Sequence, residues 1–224
     1  MAQPHRICEE AWMKHLLNHG ELRKDAFSIN LPIPEIAQLL QYFYIQQVNY
    51  RNREYIDDPF VTSQILQVAE ILGTPSHRFA IILMGQYGNG KTTMLRAIRS
   101  LIHSLFEINH PSIRHLKDFR GSISIVAAKD MVKHIISGEH TYRIEDMVMI
   151  DDWGSEPQEI IHYGMVYTPI IDLIEYRYDR MKYTILSTNM KIEDIRPKYK
   201  HRCADRLEEM AHLVEFAGDS YRNV

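Results

Sequence analysis

The chain has 224 residues, of which 45% are hydrophobic and 25% charged, and its formal net charge is −3. That length suits one α/β core with a smaller appendage, and that composition excludes a disordered chain. The slightly negative balance excludes a molecule that is basic overall, so any nucleic-acid contact must come from a local patch.

The first 75 or so residues read as helices. A helix-like stretch at 7–17 is set apart by Leu31-Pro32-Ile33-Pro34, which makes it a candidate docking arm. Pro34 opens a helix in which Ile36, Leu39, Leu40, Phe43 and Val48 recur at near-helical spacing. A polar break at 49–58 follows, and Pro59 opens another helix with Val61, Ile65, Val68, Ala69 and Leu72 on one face. The rhythm changes at Phe79. Residues 79–84 form a buried-strand pattern, followed by a glycine-rich loop and a helix over about 91–106. Further strands are expected at 122–127, 147–150, 183–186 and 212–216. Helices are expected from Lys129 and from Thr168-Pro169, a good N-cap and first-turn pair. Strands alternating with helices predict an α/β fold, a mainly parallel five-stranded sheet covered on both faces.

The apolar run at 79–84 is the longest in the chain and far too short to cross a bilayer. The residues from Met1 to Arg6 lack the apolar stretch of a signal peptide. Cys8 and Cys203 lie far apart and make no metal-ligand pattern, as expected of reduced structural thiols in a cytoplasmic protein.

Gly85-Gln86-Tyr87-Gly88-Asn89-Gly90-Lys91-Thr92 fits the pattern G-x-x-x-x-G-K-[ST], with a strand before it and a helix after. Glycines let the backbone curl so that successive N–H groups face phosphate oxygens, and the helix that follows presents its positive end to them. Lys91 supplies a positive charge for the β- and γ-phosphates, and Thr92 a hydroxyl for Mg²⁺; Thr93 completes the binding segment. An ordinary glycine-rich turn explains the glycines but not Lys-Thr at that offset. The strand at 147–150 runs into Asp151-Asp152. Burying adjacent carboxylates without a cation is costly, so a metal makes chemical sense of them. Asp151 is expected to hold Mg²⁺ and Asp152 to polarise the attacking water. Asp151–Gly154 also fits D-x-x-G, but Asn189-Met190-Lys191-Ile192 does not match the guanine-reading N-K-x-D, which points to ATP. Ser187-Thr188-Asn189 ends the fourth strand, where an amide such as Asn189 can hold a water or touch the γ-phosphate. A basic stretch follows: Lys191, Arg196, Lys198, Lys200, Arg202 and Arg206. Arg202 and Arg206 share a helix face and are candidates for an arginine finger in a neighbouring subunit's site, Arg206 ahead of Arg202.

These pieces, in this order from about 79 to 222, resemble the DnaC/IstB-like branch of the AAA+ ATPases. The telling parts are Ile150-Asp151-Asp152-Trp153-Gly154, Ser187-Thr188-Asn189, Asp205-Arg206-Leu207 and the run from Val214 to Ser220-Tyr221-Arg222. The resemblance implies Walker A at Lys91 and Thr92, Walker B at Asp151 and Asp152, sensor I at Asn189 and the finger at Arg206. It implies an AAA+ domain over 76–224 without a C-terminal helical lid; the helical region over 1–75, a candidate for partner docking, lies outside the resemblance and matches no N-terminal domain of the family. Departures are Gln86-Tyr87 early in the loop, and Asp152 where many AAA+ proteins carry Glu; the shorter reach of Asp152 predicts slow turnover.

The expected function is an ATP-dependent assembly switch in DNA replication, a helicase loader acting with a replicative helicase and single-stranded DNA. Lys129, Lys133 and the 191–206 cluster are candidate DNA contacts. An IstB-like regulator of a transposase on duplex DNA shares every motif. A P-loop small-molecule kinase is the alternative of another class; its phosphate-binding arginines would sit in a mobile lid rather than after the sensor strand.

Overall fold

The computed structural model describes residues 26–114, 119–139, 141–218 and 221. The helix expected at 7–17, Cys8, Ser220 and Arg222 lie outside the described residues. Helix α1 (Ile33–Asn49) has proline in its first turn, where a missing N–H costs nothing. Helix α2 (Pro59–Gly73) is capped by Asp58, whose carboxylate accepts from the Phe60 N–H at 2.8 Å. Then come β1 (Ala80–Gly85), α3 (Lys91–Glu107), a 3-10 turn (Pro111–Ile113), β2 (Ile123–Ala127), α4 (Ala128–Ile136), α5 (Thr141–Ile144) and β3 (Met147–Trp153). A hairpin of β4 (Ile160–His162) and β5 (Met165–Tyr167) leads to α6 (Pro169–Asp179), β6 (Tyr183–Thr188), α7 (Ile192–Met210) and β7 (Ala211–Phe216).

Five strands form one sheet in the order β2-β3-β6-β1-β7, and every neighbouring pair is parallel. The α/β class and the five strands expected from sequence are those observed. Ala80 to Leu83 and Met147 to Ile150 are buried on both faces of the sheet, which is why they read as continuous apolar runs instead of alternating. Helix α1 lies on α3 and α2, and α2 also meets β7; α4 packs on α6, and α6 on α7. Residues of α1 and α2 share one hydrophobic cluster with the sheet and α3. Because β6 sits between β1 and β3, the loops leaving all three strands open side by side at one edge of the sheet.

At the opposite edge, the fully buried Arg177 of α6 spends its guanidinium on backbone. It donates to the carbonyls of Tyr142 (2.8 Å), Glu145 (3.0 Å), Asp146 (3.4 Å) and Tyr183 (2.6 Å) and to the Thr184 hydroxyl (2.8 Å). Burial lowers its pKa to about 10, so it stays charged at neutral pH. The side chain thereby ties the start of β3 to the start of β6.

Three local features differ from the sequence expectation. The β4–β5 hairpin turns on Tyr163 and Gly164, both at positive φ (49° and 77°), the two-residue turn that suits strand twist. Helix α7 contains Pro197 and breaks at Lys200 (φ 65°), so Arg202 and Arg206 lie on a second helical segment. The Thr168 hydroxyl does not cap α6. It donates to the Asp172 carboxylate at 3.1 Å, a local acceptor that competes with the backbone. Cys203 is buried, and burial pushes its thiol pKa up to about 12, which keeps it protonated and inert. No helix among the described residues is long and apolar enough to cross a membrane.

Arg177→Met would leave buried carbonyls without donors. It is expected to lower the free energy of unfolding by about 3–5 kcal/mol in urea denaturation; a loss below about 1 kcal/mol would contradict the pinning role.

Candidate functional site

The segment joining β1 to α3 is built for close backbone approach. Gly90, at φ 93°, is the N-cap of α3, and no side chain caps that end. The first N–H groups of a 17-residue helix therefore face the cleft as an anion site. A Cβ at Gly85 would overlap the Phe216 carbonyl oxygen, so β7 presses against the loop from behind. Asn89 is buried; its amide donates to the same Phe216 carbonyl, and its Oδ1 accepts from Lys91 Nζ at 3.1 Å. Lys91 Nζ also donates to the carbonyls of Gly85 (2.8 Å) and Gln86 (2.6 Å) and to Asn189 Oδ1 (2.9 Å). The ammonium is thus folded back onto its own loop, with acceptors that phosphate oxygens can replace. Tyr87, Gly88, Thr92 and Thr93 line the same cleft.

The two carboxylates reach this cleft through an irregularity in β3. Successive side chains of a regular strand point to opposite faces, so Asp151 and Asp152 could not both face the loop. The ladder to β6 holds through Ile150–Leu186 and resumes at Trp153–Thr188, three residues against two. One extra residue makes a β-bulge. Asp152 occupies it at φ 54°. Aspartate tolerates that left-handed region better than most side chains, which gives a physical reason for Asp rather than Glu at this position. Thr92 donates to Asp151 Oδ1 at 3.0 Å. An all-oxygen pair of this kind, a hydroxyl beside a carboxylate, fits a hard cation such as Mg²⁺. Asn189 Nδ2 lies 3.5 Å from Asp152 Oδ1, so the amide spans Lys91 and Asp152.

Arg202 and Arg206 do not join this cleft; both sit against α6. Arg206 forms ion pairs with Glu175 (3.2 Å) and Asp179 (3.1 Å), lies over the Tyr178 ring and is 15% exposed. Arg202 is 70% exposed and lies 3.5 Å from Glu175. The sequence ranks Arg206 first; accessibility in a single subunit runs the other way. The basic cluster is largely paired within the chain: Lys191 with Glu193, Arg196 with Asp205 and Glu208, Lys200 with Glu159, and Lys133 with Asp130.

The cleft, ≈ 360 Å³ in all, extends beyond the loop to residues that carry no motif. Tyr44 and Val48 come from α1, Arg51 to Ile56 from the α1–α2 connection, Val61 from α2 and Tyr221 from the chain's end. Tyr221 donates its N–H to the Gly88 carbonyl (3.1 Å) and its hydroxyl to Asp58 (2.6 Å), and its own carbonyl accepts from Arg53 (3.2 Å). Burial first, then the Asp58 carboxylate, pushes the Tyr221 phenol pKa up, so it stays a donor at neutral pH. The segment that reads in sequence as a polar break at 49–58 is a wall of the site in space. Its signal was the density of aromatic and basic residues in a segment too long for a simple turn.

No protein-family model matches the chain, and no curated protein matches it. Solved structures do. A DnaC helicase loader superposes with a TM-score of 0.52 at 19% identity, over 79% of this chain and 99% of that one. DnaI gives 0.53 at 17% identity, over 88% and 97%. Domain III of the replication initiation protein DnaA from Thermotoga maritima gives 0.50 at 16%, over 73% and 65%. At these identities the likeness shows a shared α/β fold.

Gly85→Ala is expected to force the loop away from β7, costing about 1–3 kcal/mol of stability and lowering the melting temperature. Melting indistinguishable from wild type would contradict the close packing.

Proposed function

We propose that the chain is a Mg²⁺-dependent ATPase that acts as an assembly switch in DNA replication, loading a replicative helicase onto single-stranded DNA. The observation that carries this is the meeting of Lys91, Thr92, Asp151, Asp152 and Asn189 around one cleft. Bound Mg²⁺ would neutralise charge on the β- and γ-phosphates. Lys91 would exchange loop carbonyls for phosphate oxygens, while the Thr92 hydroxyl and the Asp151 carboxylate would hold the ion. Asp152 orients the attacking water, and Asn189 holds that water against the γ-phosphate. The base packs in the wider part of the cleft among Tyr44, Tyr55, Ile56 and Val61, with Tyr221 closing over the loop.

The helicase as partner rests on the likeness to a DnaC helicase loader and to DnaI; this favours it over a transposase, with which the same site would serve equally. Self-association would bring an α7 arginine to a neighbour's γ-phosphate. Arg202 can do so by leaving one carboxylate, Arg206 only by leaving two. Because Lys133, Lys191, Arg196 and Lys200 face acids of their own chain, a single subunit should bind DNA weakly, with binding built up through assembly.

With purified protein, Lys91→Ala should abolish ATP binding. Asp152→Asn should keep binding and slow hydrolysis by about 100-fold or more; an unchanged rate would refute the role given to Asp152. Subunits with the finger arginine changed to Ala should lose hydrolysis by about 10³-fold. Mixing them with Asp152→Asn subunits should restore part of it, since each supplies what the other lacks. Absence of recovery for both Arg202→Ala and Arg206→Ala would argue against a finger acting between subunits.

A further inference from the structure

Ser187 has no part in the site as described so far, yet its hydroxyl touches both acidic residues. It is fully buried at the end of β6, donates to Asp151 Oδ1 at 2.5 Å and accepts from the Asp152 N–H at 3.0 Å. The bulge takes Asp152 out of the regular β3–β6 ladder, so its N–H needs an acceptor from outside that ladder. The Ser187 oxygen takes the place of that missing ladder partner. In the same stroke its proton goes to Asp151, on the oxygen that also accepts from Thr92. On the far side of the bulge the Thr188 hydroxyl donates to the Trp153 carbonyl at 2.6 Å, closing the irregularity where the ladder resumes.

We propose that Ser187 is a positioning residue for the metal and water carboxylates: its hydroxyl holds the β3 bulge that turns Asp151 and Asp152 together toward the phosphate loop. This rests on the ATPase function proposed above. Three consecutive polar residues stand at the end of β6 and just past it, and the geometry gives each a separate task. Ser187 holds the carboxylates, Thr188 closes the strand behind them, and Asn189 spans Lys91 and Asp152. Groups that orient a metal-ligating carboxylate are tuned nearly as tightly as the ligand itself. Without the hydroxyl, Asp151 keeps only Thr92 among these two donors, and the left-handed conformation at Asp152 loses the acceptor that offsets its strain.

The test uses the full chain, a fluorescent ATP analogue and Mn²⁺ followed by electron paramagnetic resonance, comparing wild type, Ser187→Ala and Ser187→Thr. Ser187→Ala should bind the analogue in EDTA within about twofold of wild type, because Lys91 and the loop are untouched. It should need about 10–100-fold more Mn²⁺ for half-saturation in the presence of the analogue. Ser187→Thr, which keeps the hydroxyl, should return most of that loss, and thermal melting run alongside should show all three folded. Equal Mn²⁺ affinity in Ser187→Ala and wild type would overturn the proposal. So would a Ser187→Ala variant whose defect appears equally in EDTA, since that marks a general loss of structure. So too would a well-folded Ser187→Thr as defective as Ser187→Ala. A wild-type chain that binds no analogue in either condition would overturn the ATPase function itself, an outcome distinct from the other three.

Discussion

The Asp151 carboxylate accepts hydroxyl hydrogens from Thr92 at the start of α3 and from Ser187 at the end of β6. Three segments far apart in sequence are therefore joined at one oxygen. The joint works only because β3 and β6 are neighbours and their register is fixed from the other end, where Arg177 ties Tyr142 and Glu145 to Tyr183 and Thr184. A one-residue slip in a strand moves every side chain to the other face. With the strand starts pinned, the extra residue of the bulge appears at the strand end, where it turns a second carboxylate inward instead of disordering the core.

Much of this was legible in the sequence, and the reasons differ by element. Buried parallel strands announce themselves as apolar runs, so 79–84 and 147–150 were readable. The spacing of Gly85, Gly90, Lys91 and Thr92 has few explanations besides a phosphate cradle. The bulge was not readable. Asp151-Asp152 looks the same whether the strand is regular or irregular, and only the pairing with β6 shows that both carboxylates share a side. The wall from Arg51 to Ile56 and Tyr221 serves the cleft through tertiary placement, and the aromatic and basic residues of 49–58 mark that segment as unusual without saying which site it joins. The β4–β5 hairpin did leave a mark, Tyr163-Gly164 between short apolar runs, but three-residue strands lie below what periodicity can resolve.

The arginines show how charge placement limits what motifs imply. Arg202 and Arg206 share a face, as a four-residue spacing requires, and both lean on Glu175 of α6. In one subunit they are structural cations. A role at a neighbour's nucleotide requires a second subunit to offer more than Glu175 and Asp179 do, which makes the acids of α6 competitors of any phosphate in trans. Just before the hairpin, Glu159 is bonded to Lys200 beside the break in α7. The approach to the hairpin and the arginine helix are thus linked by a contact within the chain.

The measurement that bears most directly on this account is a crystal structure with Mn²⁺ and a non-hydrolysable ATP analogue, the ion located by anomalous scattering. The account predicts one ion bonded to the Thr92 hydroxyl beside Asp151, with Asp152 facing the γ-phosphate and Ser187 still bridging the two acids. A triphosphate seated in the loop with its ion on other residues, or with Asp152 turned to the opposite face of the sheet, would contradict it.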